Sequence, residues 1–335
     1  MITFEFHDHE LSAPFRIAHG DSERRTTLIA RFGDGIGEGA IVPYYPETRE
    51  SVDAWLKTFD ASAFDPALTL EALLALIPGD APLTAACAMD LAIHDHCAIR
   101  AGLPLGEFLK LPAGASRLVR TLSNPVDGAE LAVALDEIRG TQFDLKLKLG
   151  GEDFEHDLVM FQMAQTLWPH PVAIDANGGW TPAMASEFLS CTRDNAALFI
   201  EEPVRGIEAW RELKRMLPAL HPSLFADETV QTIADVAALA SSVDGVNVKL
   251  LKTRGLRGAV DMISRARAAG LQIMIGTMLE TSVGCTAAAH LAGLAKVVDL
   301  DGYVFLKDDP FVGLDLDRGL LKMPNRPGIG AIARK

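Results

Sequence analysis

From about Leu118 onward, short apolar runs alternate with stretches whose apolar residues recur at helical spacing. The runs read LVRTLS, FDLKLKL, PVAID, ALFIEEP, SLFADE, GVNVKL, LQIMIG and KVVDLD. Continuous apolar runs suit strands covered on both faces, as in a parallel sheet. Between them, Phe154, Leu158 and Phe161 stand at i, i+4 and i+7. Another helical pattern spans 256–269 and closes at Gly270, a residue suited to a helix C-terminus. Eight runs at a spacing of about 25 residues give the period of a βα unit, and eight such units close a barrel.

The first hundred residues follow a different pattern. Residues 2–6 and 26–32 read as strands, Gly33-Asp34-Gly35 as a turn, and a further strand leads into Glu38. Helical stretches follow around 51–59, 68–76 and 83–101, the last stopped by Gly102 and Pro104. Beyond Leu306 the chain is rich in turns and has no further βα unit. The expected fold is α/β. An α+β capping domain (1–113) precedes a modified (β/α)7–8 TIM-type barrel (114–305), and the tail (306–335) returns to the cap. No low-complexity linker separates the parts, so a rigid body with a cleft is expected.

Composition narrows the partners. The chain has 335 residues, 49% hydrophobic and 23% charged, with a formal net charge of −14. Such a charge repels nucleic-acid phosphates and anionic membranes, so neither is an expected partner. An anionic substrate would need a local cation or a metal. Cys87, Cys97, Cys191 and Cys285 have no zinc-like spacing and read as reduced, mostly buried thiols. The N-terminal MITFEFHDHE lacks a basic region followed by a long apolar run, so no signal peptide is expected, and no apolar stretch reaches the roughly 18 residues of a membrane helix. A cytoplasmic location is expected, and a homo-oligomer, since barrels of this type commonly associate.

The strand ends carry the chemistry. Lys146 and Lys148 close run two, Asp175 run three, Glu201 and Glu202 run four, Asp227 and Glu228 run five, Lys249 run six, and Asp299 and Asp301 run eight. The steps from Lys148 to Asp175, Glu201, Asp227 and Lys249 are 27, 26, 26 and 22 residues, one βα unit each. A single charge at a strand end is usually a solvated loop residue, but barrels place catalytic groups at the C-terminal ends of their strands. Three carboxylates on adjacent strands repel one another unless a hard divalent cation joins them, and all-oxygen ligation suits Mg²⁺. The bland alternative pairs one of them with an arginine such as Arg205.

The lysines complete the set. Lys146 and Lys148 point to the same side of their strand. A second ammonium about 6 Å away, at an effective dielectric of about 20, costs about 2.8 kcal/mol and lowers a lysine pKa by about two units. Lys148 is then the expected base and Lys146 its electrostatic helper. The acid is a C–H next to a carboxylate, and Lys249 on the opposite face can return a proton from the other side. Two lysines on two faces imply inversion of a stereocentre; one would be enough for an elimination.

This ordered set resembles the enolase superfamily, in its muconate-lactonising subgroup. The resemblance covers almost the whole chain, through GIGEGA, KLKLG, DANGGW, FIEEP, FADET, VNVKLLKTRG, GTMLETS and VVDLDG. It implies Lys148 and Lys249 as the acid/base pair, Lys146 as auxiliary, and Asp175, Glu201 and Asp227 as Mg²⁺ ligands. DLDG at 299–302 is similar to the dipeptide epimerases, in which the matching aspartates, here Asp299 and Asp301, hold the free ammonium of a dipeptide. Thr121, Met278 and His19 complete the expected substrate contacts.

One departure bears on specificity. Relatives acting on Ala-Glu place an arginine after a PF-x-x-A segment to hold the Glu side chain. Here the segment reads Pro14-Phe15-Arg16-Ile17-Ala18-His19-Gly20, with His19 at about that place and Arg24 and Arg25 following. The expected substrate is therefore a dipeptide of open side-chain identity. The alternatives are an N-acylamino-acid racemase, an o-succinylbenzoate synthase or a cycloisomerase, which have no ammonium for Asp299 and Asp301 to hold. A lysine Schiff-base enzyme and a non-catalytic binder are rivals of other classes. The carboxylate trio argues against the first and the buried lysines against the second.

Three further motifs have plain structural readings. Gly35-x-Gly37-x-Gly39 lacks a following helix and reads as a tight strand connection. His94-Asp95-His96 lies in an apolar helix without confirming ligand spacing. The stretch 252–258 reads as the loop after run six.

Overall fold

The computed structural model describes residues 2–18, 20–114, 117–151 and 153–335. At the N-terminus, β1 (Ile2–Ile17), β2 (Gly20–Phe32) and β3 (Gly35–Ile41) form an antiparallel sheet, followed by α1 (Arg49–Leu56), α2 (Leu70–Ala75) and α3 (Leu83–Ala101). The first two strands run far beyond the expected 2–6 and 26–32. They form a long ribbon whose register shifts between Glu10 and Phe15. The outer part has exposed residues on both sides, so its pattern gave no strand signal. It is held by packing of Leu11 and Phe15 against Leu279 and Leu306. The first helix also stops earlier than expected, at Leu56.

The glycines of β3 have a steric cause. A β-carbon on Gly35, Gly37 or Gly39 would lie 2.2, 2.1 or 2.0 Å from a backbone oxygen of α3. The strand therefore lies directly on the helix backbone, which only glycine permits. The alternate residues Ile36, Glu38 and Ala40 face away from that helix. Glu38 is fully buried and accepts hydrogen bonds from Thr281 N (2.9 Å), Thr281 Oγ1 (2.6 Å) and Gly284 N (2.8 Å). Of His94-Asp95-His96, His94 bonds the carbonyl of Asp90, and Asp95 accepts from Ile36 N and Ile329 N. These are structural roles within α3.

All eight runs form strands: β4 (Arg117–Leu122), β5 (Asp144–Lys148), β6 (Val172–Asp175), β7 (Phe199–Glu201), β8 (Ser223–Ala226), β9 (Gly245–Lys249), β10 (Gln272–Gly276) and β11 (Val297–Asp299). They pair in parallel and close into a barrel when β11 meets β4. Val119, Ala173, Phe199, Phe225, Met274 and Val297 pack into one apolar layer. Two residues further along five of those strands stand Thr121, Asp175, Glu201, Asp227 and Asp299. Because i and i+2 share a strand face, an ionic tier sits directly on an apolar floor.

The tail returns to the rest of the chain. Leu306 bridges Leu11 of β1, Phe311 packs with Ile29 and Ile36, and Ile329 N bonds Asp95 of α3. No helix among the described residues is long and apolar enough to cross a membrane. All four cysteines are free; Cys87 and Cys285 are buried, but Cys191 is exposed, against the expectation of mostly buried thiols.

Candidate active site

The barrel order fixes the site. Strands β5 and β9 are four places apart in an eight-stranded ring, so Lys148 and Lys249 approach from diametrically opposite sides. The same holds for β7 and β11, which carry Glu201 and Asp299. Both lysines line a cavity at the barrel mouth together with Lys146, Thr121, Asn177, Met278, Asp299 and Asp301. The cap closes it with Phe15, Ile17, Arg25, Val42 and Tyr44. A cavity between the C-terminal strand ends and a cap is where barrels bind small molecules.

The ammonium groups are paired. Lys146 Nζ bonds Glu201 Oε2 (2.8 Å) and Asp299, and lies 3.5 Å from Asp175 Oδ2. Lys148 Nζ bonds Asp175, and Lys249 Nζ bonds Asp227 Oδ2 at 2.6 Å. Lys148 Nζ also lies 5.9 Å from the centroid of the Phe15 ring. The Lys146 ammonium is thus matched by carboxylates on the neighbouring strand β6 and on β7 and β11, each two places from β5 in the ring. The alternative partner Arg205 is exposed and takes no part. Among the described residues, no three His, Cys, Asp or Glu side chains are gathered into a metal-binding group, and each carboxylate of the trio contacts a lysine.

Burial and neighbouring charge set the protonation preferences. Burial raises every carboxylate here. For Asp175, Lys148 and Lys146 outweigh it, and for Asp227, Lys249 and Lys252 do, so both are held below the ordinary range. Burial and the Asp175 charge push Glu201 up to about 8. Burial and the Asp227 charge push Glu228 up to about 7. Burial disfavours the charge on Lys146 and Lys249, but Asp299 and Asp227 respectively keep both above the ordinary amine range.

The other expected contacts divide. Thr121 donates its hydroxyl to Asp299 (3.1 Å) and its N–H to Asp301 (2.7 Å), so it orders both aspartates. Asp301 is also paired with Arg120 at 2.7 Å, and burial pushes it up to about 6 despite that guanidinium. Met278 lines the cavity, its N–H bonded to Glu280. His19 lies outside the described residues. Arg24 is on the surface with Glu10, whereas Arg25 is buried in the cavity wall.

Sequence reasoning missed several members. Lys252 is fully buried and bonds Asp227 and the Asn247 carbonyl; it lies in the stretch read as a plain loop. Asn247 donates to Glu201 Oε1 (2.6 Å), and Asn177 donates to Glu228 Oε1 (2.8 Å). Asn247 stands two residues before Lys249 and so shares its strand face, a signal that was available.

Comparison with known proteins fits this geometry. Residues 130–334 match the family described as enolase C-terminal domain-like. The L-Ala-D/L-Glu epimerase of Bacteroides thetaiotaomicron is 31% identical over 89% of this chain and 78% of its own. The hydrophobic dipeptide epimerase of Roseobacter litoralis is 33% identical over 95% of both chains. The crystal structure of the dipeptide epimerase from Enterococcus faecalis, complexed with Mg and L-Leu-L-Tyr, superposes with a TM-score of 0.88 at 25% identity and covers 99% of each chain. The chain belongs to the enolase superfamily, in the family that holds the dipeptide epimerases.

Proposed function

We propose that the chain is a Mg²⁺-dependent dipeptide epimerase that inverts the α-carbon of the C-terminal residue by 1,1-proton transfer. The observation that carries this reading is the diametric placement of Lys148 and Lys249 at one cavity. A carbon held between them exposes one face to each amine. Lys148 takes the α-proton from one face, and the C–H electron pair moves into the carboxylate to give an enediolate. Lys249, kept charged by Asp227, delivers a proton to the other face. The product has the opposite configuration, and the two lysines have exchanged protonation states.

The residues present fit a hard divalent cation. The donors are carboxylate oxygens on three successive strands, and Asn177 Oδ1, Asn247 Oδ1 and Glu228 Oε2 are buried without a hydrogen-bond partner among the described residues. Burial first, and the neighbouring carboxylate charges second, raise Glu201 and Glu228. Asp175, Glu201 and Asp227 would hold Mg²⁺, which supplies positive charge where the substrate carboxylate gains negative charge. Lys146 holds Glu201 and Asp299 at fixed places on opposite walls. Asp299 and Asp301 offer carboxylate oxygens to the substrate ammonium. On this reading the chain would act on a small molecule in the cytoplasm, as a homo-oligomer.

The test is proton exchange in D₂O with Mg²⁺ and pooled L,L-dipeptides, read by mass spectrometry. A gain of one deuteron at the C-terminal α-carbon, lost in Lys148→Ala, is the expected result. Exchange with N-acylamino acids and none with dipeptides would replace the epimerase reading by the racemase alternative.

A further inference from the structure

Arg120 reaches the active site from outside the barrel. It precedes Thr121 on β4, and neighbouring residues of a strand point to opposite faces. Thr121 lines the active-site cavity, whereas Arg120 lines a separate outer cavity with Tyr303, Lys307 and Asp315. Its guanidinium lies over the Phe305 ring, 4.9 Å from the centroid, and donates to Asp301 Oδ2 at 2.7 Å. Phe305 in turn meets Phe15 edge-on at 4.9 Å, and both rings line the active-site cavity. A side chain outside that cavity thus holds part of its wall.

The two aspartates are held differently. Asp299 accepts from the Thr121 hydroxyl at Oδ1 and from Lys146 at Oδ2. Asp301 accepts both of its bonds, from Arg120 and from Thr121 N, at Oδ2. Its Oδ1 accepts none among the described residues, which leaves that oxygen for a ligand. Arg120 is also the one cation within 4.0 Å of Asp301 among the described residues. Burial above all disfavours the Asp301 charge; Arg120 favours it and the Asp299 charge opposes it. Burial raises Tyr303, the other titratable group beside it, so that phenol stays neutral. Neighbouring buried carboxylates do not both ionise readily unless each has a cation. Lys146 serves Asp299 from inside the barrel, and Arg120 serves Asp301 from outside.

Resting on the epimerase reading above, we propose that Arg120 is a positioning residue for the substrate ammonium: it fixes the Asp301 carboxylate by Oδ2 and leaves Oδ1 as the oxygen that meets the ammonium. Arg120 acts through Asp301 and does not touch the substrate. Loss of the guanidinium leaves one buried carboxylate beside another, and Asp301 then takes up a proton. That proton must leave before an ammonium can pair with the carboxylate.

The test compares α-proton exchange in L-Ala-L-Ala and in N-propanoyl-L-alanine, which has hydrogen in place of the ammonium. Both end in alanine, so their ratio is independent of side-chain preference. The wild type is expected to favour the dipeptide by about 100-fold or more in kcat/KM. In Arg120→Gln that preference falls by about tenfold or more at pH 7, mainly through KM. The deficit widens as the pH is lowered from about 8 to about 6.5, because the variant's Asp301 is protonated first. Arg120→Lys keeps part of the preference because the charge remains. Arg120→Met, whose straight side chain still covers Phe305, makes the same prediction should the glutamine variant not fold. A purely structural arginine would slow both compounds alike at every pH, which overturns the proposal, as does a wild type without the preference. Should neither compound exchange, calorimetric binding of both with Mg²⁺ present decides instead. A preference for L-Ala-L-Ala that is lost in Arg120→Gln upholds the proposal; equal binding, or a preference the variant keeps, overturns it. Failure of every dipeptide to exchange counts against the epimerase reading alone.

Discussion

Lys252 Nζ lies 2.6 Å from Asp227 Oδ1 and 2.9 Å from the carbonyl oxygen of the same residue, so one ammonium fixes both the side chain and the backbone of Asp227. A third bond, 2.8 Å to the carbonyl of Asn247, ties this pair to β9. Replacing Lys252 by Met leaves a buried carboxylate with one cation fewer. Breaking a buried pair from one side typically costs about 3–5 kcal/mol. Urea denaturation should show a loss in that range, and a loss under about 1 kcal/mol would contradict the structural role given to the pair.

The two facing lysines predict different failures. Lys148→Ala should abolish α-proton exchange from the epimer whose hydrogen faces β5 and leave exchange from the other epimer. Lys249→Ala should do the reverse. Epimerisation itself needs both amines and should fall by about 10²–10⁴-fold in either variant. Following deuterium uptake separately from each purified epimer checks this. Equal loss of both exchanges in one variant would mean that a single lysine serves both faces.

Metal dependence has a readout in stability as well as in turnover. Chelation should stop proton exchange. Mg²⁺ at one hundred times its Kd should raise unfolding free energy by about 2.7 kcal/mol. Asp227→Asn should reduce that increment, visible as a smaller shift in Tm on adding Mg²⁺. An unchanged shift would remove Asp227 from the ligand set.

Asp95 gives a pH dependence remote from the site. Burial pushes it up to about 6 even though Ile36 N and Ile329 N donate to it. The native state therefore holds this proton to a higher pH than the unfolded chain, whose carboxylate titrates near its model value of 3.8. The stabilising contribution is full below that pH and declines as pH rises through about 6. The stability of the wild type relative to Asp95→Asn should fall by about 2 kcal/mol between pH 4 and pH 7. Chemical denaturation at both pH values tests it; a constant difference would show Asp95 ionised throughout.

The contact between β3 and α3 leaves no room for a methyl group. In Gly37→Ala the new β-carbon meets the Ala88 carbonyl at 2.1 Å. The strand must lift from the helix, at a cost of about 1–3 kcal/mol or more. A lowered Tm is expected, and an unchanged one would mean that the strand moves away freely.

These features were unequally legible. The barrel strands could be read because burial on both faces makes each a continuous apolar run, broken by a charge where it reaches the mouth. β5 shows both signals in DLKLK. The outer part of the β1–β2 ribbon could not, because its order comes from Leu279 and Leu306, far along the chain. Lys146, Glu201 and Asp299 were visible as strand-end charges, but their mutual contact across the barrel depends on closure and leaves no trace in spacing. Arg25 and Arg24 are adjacent in sequence, and only strand register sends one into the cavity and the other to solvent.

The closed order of the strands also divides the chemistry between two halves of the gene product. The first four strands carry Lys146, Lys148, Asp175 and Glu201, and the last four carry Asp227, Lys249 and Asp299. Under the proposed reaction, either half has one amine and can address one side of a planar carbon. Mirror-image conversion is thus a property of ring closure. A half-barrel fragment could at most swap a hydrogen for its isotope, and only the joined halves could tell left from right and exchange them.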